Sequence, residues 1–168
     1  SLWFWGAGTR PMLTSFEEKT GHKGAMISAV DLLKGIAVGA GMKVIEVEGA
    51  NGGLDTNYEG KADAAVDVLL NGGCDFAYIH LEAPDEMGHQ GSYERKVKAI
   101  ENLDKRIIKR VVEKMEAAGE DFRMLVLPDH PTPVAIRTHV SDPVPYMLYD
   151  STDKKNNTWS YNEKDGEA

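Results

Sequence analysis

Cysteine is almost absent: Cys74 is the single one in 168 residues. A lone thiol excludes an internal disulfide and any cysteine-based metal cluster. It lies in NGGCDFAYIH, at the mouth of an apolar run, and reads as a buried structural side chain. Long hydrophobic runs are also missing. None approaches the ~20 residues of a membrane-spanning helix. The opening SLWFWGAGTRP lacks the basic start and apolar stretch of a secretory leader. Positive charge is in deficit, with 19 Lys and Arg against 27 Asp and Glu and a formal net charge of −8. That argues against a general nucleic-acid binder, which needs a basic patch. It leaves room for an anionic small substrate, because bound cations reverse the field inside a cleft. These absences suit a cytoplasmic protein with neither nucleic-acid nor membrane partners.

What is present suffices for one domain. The apolar share is 42%, enough for a hydrophobic core at this length. Strand and helix patterns alternate. Residues 25–30 and 43–47 read as strands, 31–40 and 58–70 as helices, and 76–81 as a strand. Ser92 caps a predicted helix reaching 118, with Val97, Ile100, Leu103, Ile107, Val111 and Met115 as its buried stripe and Gly119 as its stop. Residues 123–127 are nearly all apolar, as a strand covered on both faces should be, and 144–149 offer one more strand. The alternation predicts an α/β fold, a mostly parallel sheet with helices on both faces. Residues 1–150 form the predicted domain and 151–168 a polar tail. The strand-like run at Leu2-Trp3-Phe4-Trp5 and the polar end at Lys154-Lys155-Asn156-Asn157 read as the cut edges of a longer protein.

In parallel sheets, ligands collect outside the carboxyl ends of strands. Three stretches in such positions hold Asp85 and His89, then Asp129 and His130, then His139. In PDEMGHQG, a carboxylate and an imidazole four apart can grip one ion from a loop or a first helical turn. Alone this spacing is weak, since it arises often by chance. In LVLPDHPTP, prolines 128, 131 and 133 stiffen the loop that carries Asp129 and His130. The bland alternative has Asp129 capping a turn and His130 facing water. His139 in RTHVSDPVP would by itself read as structural, yet three of the five histidines lie in these stretches. Five mixed N/O donors suit Zn or Mn better than Mg. Two ions ~4 Å apart would clamp both oxygens of a phosphoryl transfer.

The ordered set Asp85-x-x-x-His89, Asp129-His130 and His139 resembles the alkaline phosphatase superfamily. LWFWGAGTRP, SFEEKTGHKGAMISAVDLLKGIAVGAGM, DTNYEGKADAA, HLEAPDEMGHQG and LPDHPTPVAIRTHVSDPVP resemble, more narrowly, the archaeal-type cofactor-independent phosphoglycerate mutases. The likeness runs over residues 2–149. It implies an alkaline-phosphatase-like fold and interconversion of 3- and 2-phosphoglycerate through a phosphoserine, without bisphosphoglycerate. It implies two divalent ions, with Mn first and Zn, Co or Mg as alternatives. Asp85, His89 and His139 would hold one ion, and Asp129 and His130 the other. The family's nucleophilic serine and its first aspartate have no counterpart here. The chain is therefore expected to be the C-terminal part of a catalytic domain, inactive alone, partnered by the missing N-terminal part. Arg137 and Lys34 are candidate substrate contacts, with a surface arginine and a solvated lysine as the equal alternative. His80 reads as a packed or supporting histidine. Another phosphatase or phosphomutase of the superfamily, or a non-catalytic module, is the competing reading.

Overall fold

The computed structural model describes residues 8–9, 11–153 and 160–166; the strand-like run at 2–5 and the lysine–asparagine run at 154–157 lie outside them. The chain is a mixed α/β structure. Helix α1 (Phe16–Thr20) is closed by a capping box: the Ser15 hydroxyl accepts from Glu18 N while the Glu18 carboxylate accepts from Ser15 N. There follow β1 (Gly24–Ile27), α2 (Asp31–Gly39), β2 (Lys43–Val44), α3 (Tyr58–Leu70) and β3 (Phe76–Ile79). Three strands form a parallel sheet in the order β2-β1-β3. All four residues of β1 are buried, as the central strand's apolar sequence demands. Cys74 is 8% exposed and packs with Ala25 and Val68.

Beyond the sheet come α4 (Ala83–His89) and a long helix in three parts. These are α5 (Tyr93–Leu103), a wider π turn (Asp104–Ile108) and α6 (Lys109–Ala118). Ser92 caps this helix, and Gly119, at φ 74°, ends it. Its buried stripe differs from the predicted one. Ala99, Ile107, Val111 and Met115 are buried, whereas Val97 and Ile100 are 38% and 51% exposed. The buried positions are separated by multiples of four residues, which in a pure α-helix drifts ~40° per step. The π turn absorbs that drift.

The main core lies between α3, α4 and the long helix, with Ile79 of β3 packed against it. Lys61 of α3 is fully buried and donates to the carbonyl of His80 at 3.2 Å. Burial pushes its pKa down, with nearby Glu82 opposing.

The last two strands, β4 (Arg123–Val126) and β5 (Met147–Asp150), correct an expectation. They pair antiparallel with each other, as a separate sheet. Met124 faces the core, but Leu125 and Leu148 are 56% and 62% exposed. An apolar sequence therefore did not guarantee cover on both faces among the described residues. Near the end, α7 (Glu163–Gly166) occupies the polar tail, and Tyr161 donates to the Pro145 carbonyl at 3.3 Å. Among the described residues no helix is long and apolar enough to cross a membrane.

Two forked ion pairs tie α3 to the long helix. Arg106 holds Glu59 at 2.6 and 2.7 Å, and Arg110 holds Asp63 at 2.6 and 2.8 Å. Lys114 adds a third cation at 2.9 Å from Asp63. The Arg110 bond is the main cause holding the Asp63 carboxyl at about 2, below its ordinary 3.8. A carboxyl so depressed contributes stability above its unfolded pKa, lost as pH falls through the folded value. Asp63→Asn should thus cost up to ~1 kcal/mol at neutral pH, since the pair is partly solvated. The gap between variant and wild type should close between pH ~4 and ~2. Urea unfolding across that range checks it, and a gap that persists at the acid end would refute the assignment.

Candidate metal centre

The cluster is assembled at the carboxyl ends of β3 and β4. After β3 the chain turns at Glu82 into α4, where Pro84 sits in the first turn and needs no donor N–H. Asp85 and His89 are one helical turn apart and share a face. Of the two placements the sequence allowed, a loop or a first helical turn, the helical one holds: Asp85 lies in the first turn of α4 and His89 in its last. After β4 the proline-rich segment carries Asp129, His130 and Thr132, then turns back through the bond from Arg137 N to Pro133 O at 2.8 Å. This return delivers His139.

Asp85, His89 and His139 converge, with one donor atom each within 4.8 Å of the others. His89 Nε2 lies 3.1 Å from His139 Nε2 and 3.3 Å from Asp85 Oδ2, and His139 Nε2 lies 3.4 Å from Asp85 Oδ1. The other His89 nitrogen, Nδ1, is 3.0 Å from the Arg137 carbonyl. A carbonyl only accepts, so Nδ1 carries a hydrogen, and in the neutral ring His89 Nε2 presents a lone pair to the cluster. Two imidazole nitrogens facing each other beside a carboxylate need a proton or a cation between them. Donors ~2.0–2.2 Å from one ion stand roughly 3.0–3.5 Å apart at tetrahedral or octahedral angles. The 3.1 Å between the two imidazole nitrogens falls in that range, and each imidazole meets a different oxygen of Asp85 at 3.3 or 3.4 Å.

His130 and Asp129 lie next to this trio. The His130 ring lies against His139, tilted 32° with centroids 3.7 Å apart, and its Nδ1 is 3.9 Å from Asp85 Oδ1. Asp129 is the outlier: its side chain is 84% exposed, and Oδ2 lies 3.7 Å from His130 Nε2. These two make an open pair of donors beside the closed trio.

Two residues escaped the sequence reading. Thr132, 2% exposed, donates its hydroxyl hydrogen to Asp85 Oδ1 and lies 3.3 Å from His130 Nδ1. Lys96 of α5 donates to the Thr132 carbonyl at 2.6 Å. Its pKa is pushed down by burial, against the attraction of Asp85. Thr132 left only a faint trace, a hydroxyl between two prolines. Lys96 looked like one more solvated helix lysine.

The two candidate substrate cations part company. Arg137 stays with the cluster. It takes a positive φ of 60°, rare without glycine, which accompanies the aim of its carbonyl at His89. Its guanidinium lies against Gly91, where an added Cβ would fall 2.3 Å from Nε. Lys34 is engaged with Glu46 at 2.8 Å, which raises its pKa. His80 is a packed histidine, its Nδ1 shared between Ser28 Oγ at 3.3 Å and Glu82 Oε1 at 3.2 Å.

Comparison with known proteins converges on the same chemistry. The chain matches the family model described as "Metalloenzyme superfamily" over residues 1–166. It is 54% identical over 149 residues to a 2,3-bisphosphoglycerate-independent phosphoglycerate mutase of Methanosarcina acetivorans, covering 89% of this chain and 37% of that one. A solved protein structure from Pyrococcus horikoshii superposes with a TM-score of 0.85 at 31% identity, covering 96% of this chain and 48% of that one. A cofactor-independent phosphoglycerate mutase from Thermoplasma acidophilum superposes at 0.66 and 26% identity, covering 93% and 34%. The chain thus spans under two fifths of the length of the curated relatives it matches.

Proposed function

The chain belongs to the metalloenzyme superfamily, and from that premise we propose that it is a portion of a cofactor-independent phosphoglycerate mutase. The observation that carries this reading is the convergence of Asp85, His89 and His139 beside the Asp129–His130 pair. Residues 1–150 would supply the C-terminal part of the catalytic domain. The intact protein would interconvert 3- and 2-phosphoglycerate in glycolysis or gluconeogenesis, in the cytoplasm, with no bisphosphoglycerate.

In this reading Asp85, His89 and His139 hold one divalent ion, and Asp129 and His130 contribute to a second. Manganese is our first choice, given the mixed N/O donors. When bound, such ions supply charge neutralisation for a phosphoryl group passing between oxygens. The chain's own part is positioning. The Arg137 carbonyl fixes the His89 ring, α4 fixes Asp85 relative to it, and the exposed Arg137 guanidinium offers a cation to an anionic substrate. Thr132, the hydroxyl that touches Asp85, is buried and engaged, which leaves no open face for a phosphoryl group. The resemblance to the mutases assigns the nucleophilic serine, and one further aspartate, to the remainder of the longer protein.

The test gives the full-length protein 3-phosphoglycerate and Mn²⁺, without bisphosphoglycerate, and follows both products. Formation of 2-phosphoglycerate supports the mutase. Release of free phosphate alone would replace it with a phosphatase of the same superfamily.

A further inference from the structure

We propose that Thr132 is the positioning residue that couples the two donor groups, through a single hydroxyl. The proposal rests on the metal-binding reading above and names a residue within it. The argument is a count of hydrogens. A threonine hydroxyl has one hydrogen and two lone pairs. The hydrogen goes to Asp85 Oδ1, the closest partner and a carboxylate that can only accept. Toward His130 Nδ1, 3.3 Å away, the hydroxyl can then only accept. In a neutral ring Nδ1 of His130 then carries the hydrogen, and Nε2 keeps its lone pair, 3.7 Å from Asp129 Oδ2. One side chain therefore sets the rotation of a carboxylate in the closed trio and the tautomer of a histidine in the open pair. Partners of this kind fix ring orientation and ligand basicity at metal sites.

The surroundings make Thr132 rigid enough for the task. Lys96 Nζ holds its carbonyl at 2.6 Å. Gly88 of α4 packs so close that an added Cβ would lie 2.4 Å from that carbonyl oxygen. The residue is 2% exposed, so water does not compete for the hydroxyl. A buried threonine serving only as filler would need no particular hydrogen direction, and valine would replace it without loss to the site.

The experiment compares full-length wild type, Thr132→Val and Thr132→Ser. Histidine ring ¹⁵N shifts are read in the metal-free protein, and Mn²⁺ binding is titrated. Wild type should show His130 protonated on Nδ1. Thr132→Val should lose that preference and bind Mn²⁺ about 10- to 100-fold more weakly, the usual size of such supporting contacts. Thr132→Ser, which keeps the hydroxyl, should restore both. A wild-type His130 protonated on Nε2 overturns the proposal, as does a Thr132→Val protein with wild-type Mn²⁺ affinity. Should Thr132→Val fail to fold, the wild-type tautomer and the serine variant decide alone. Free phosphate in place of 2-phosphoglycerate, with tautomer and affinities as expected, would end the mutase reading and leave the role of Thr132 standing.

Discussion

Asp85→Asn in the full-length protein is expected to lower 3-phosphoglycerate turnover by at least ~10³-fold, even at saturating Mn²⁺. Asp85 is the hub of the cluster. One oxygen faces His89 Nε2 at 3.3 Å; the other faces His139 Nε2 at 3.4 Å and takes the Thr132 hydroxyl. Asparagine keeps the shape of the side chain and loses its charge. Its oxygen can still accept from Thr132 while its NH₂ donates to the His89 lone pair, but that NH₂ has no lone pair to offer a cation. One of the two donor oxygens is gone, and the histidines lose the anion that offsets a bound cation. Counting bound ions in purified protein supplies the independent readout, since the variant should retain fewer per chain than wild type. More than a tenth of wild-type activity, with a full ion complement, would remove Asp85 from the proposed site.

How much of this was legible in the residues alone depends on which physical signal each feature left. Helix α3 was read at its observed bounds because Ala62, Ala65, Val66 and Leu69 share one face and Asn71-Gly72-Gly73 ends it. The five candidate donors stood out because each followed an apolar run, and ligands gather at the carboxyl ends of parallel strands, a position that β3 provides for Asp85 and His89. Pairing was not legible. Residues 123–126 are as apolar as a central strand, but pairing depends on the partner the chain offers, and here the partner is β5, antiparallel. The π turn left no mark either, because wet-face charges obscure a stripe whose phase shifts partway along. Thr132 and Lys96 act through one hydrogen and one carbonyl, and such contacts follow from the fold rather than from spacing.

Gly88→Ala should be the most damaging small change outside the donors themselves, against the ordinary expectation for a helix. Alanine inside a helix is favoured over glycine by about 1 kcal/mol. At Gly35 of α2, where nothing lies within 4 Å of an added Cβ, that gain should appear. Gly88 lies between Asp85 and His89 on α4, the helix that must approach the Asp129–Thr132 segment. Its added Cβ would fall 2.4 Å from the Thr132 carbonyl oxygen and 3.0 Å from the Thr132 methyl. The carbonyl is backbone, tethered by Lys96 at 2.6 Å, so it cannot yield as a flexible side chain would. The helix has to move instead. Overpacking of this kind costs ~1–3 kcal/mol, which outweighs the helical gain. The displacement also draws Asp85 away from Thr132 and His130. A shift of ~1 Å at reacting groups can cost ~10²-fold in rate. Urea unfolding and 3-phosphoglycerate turnover of Gly88→Ala, measured beside Gly35→Ala, test both halves. A Gly88→Ala protein as stable and as active as the Gly35→Ala control would show that this close approach is not what holds the two donor groups together.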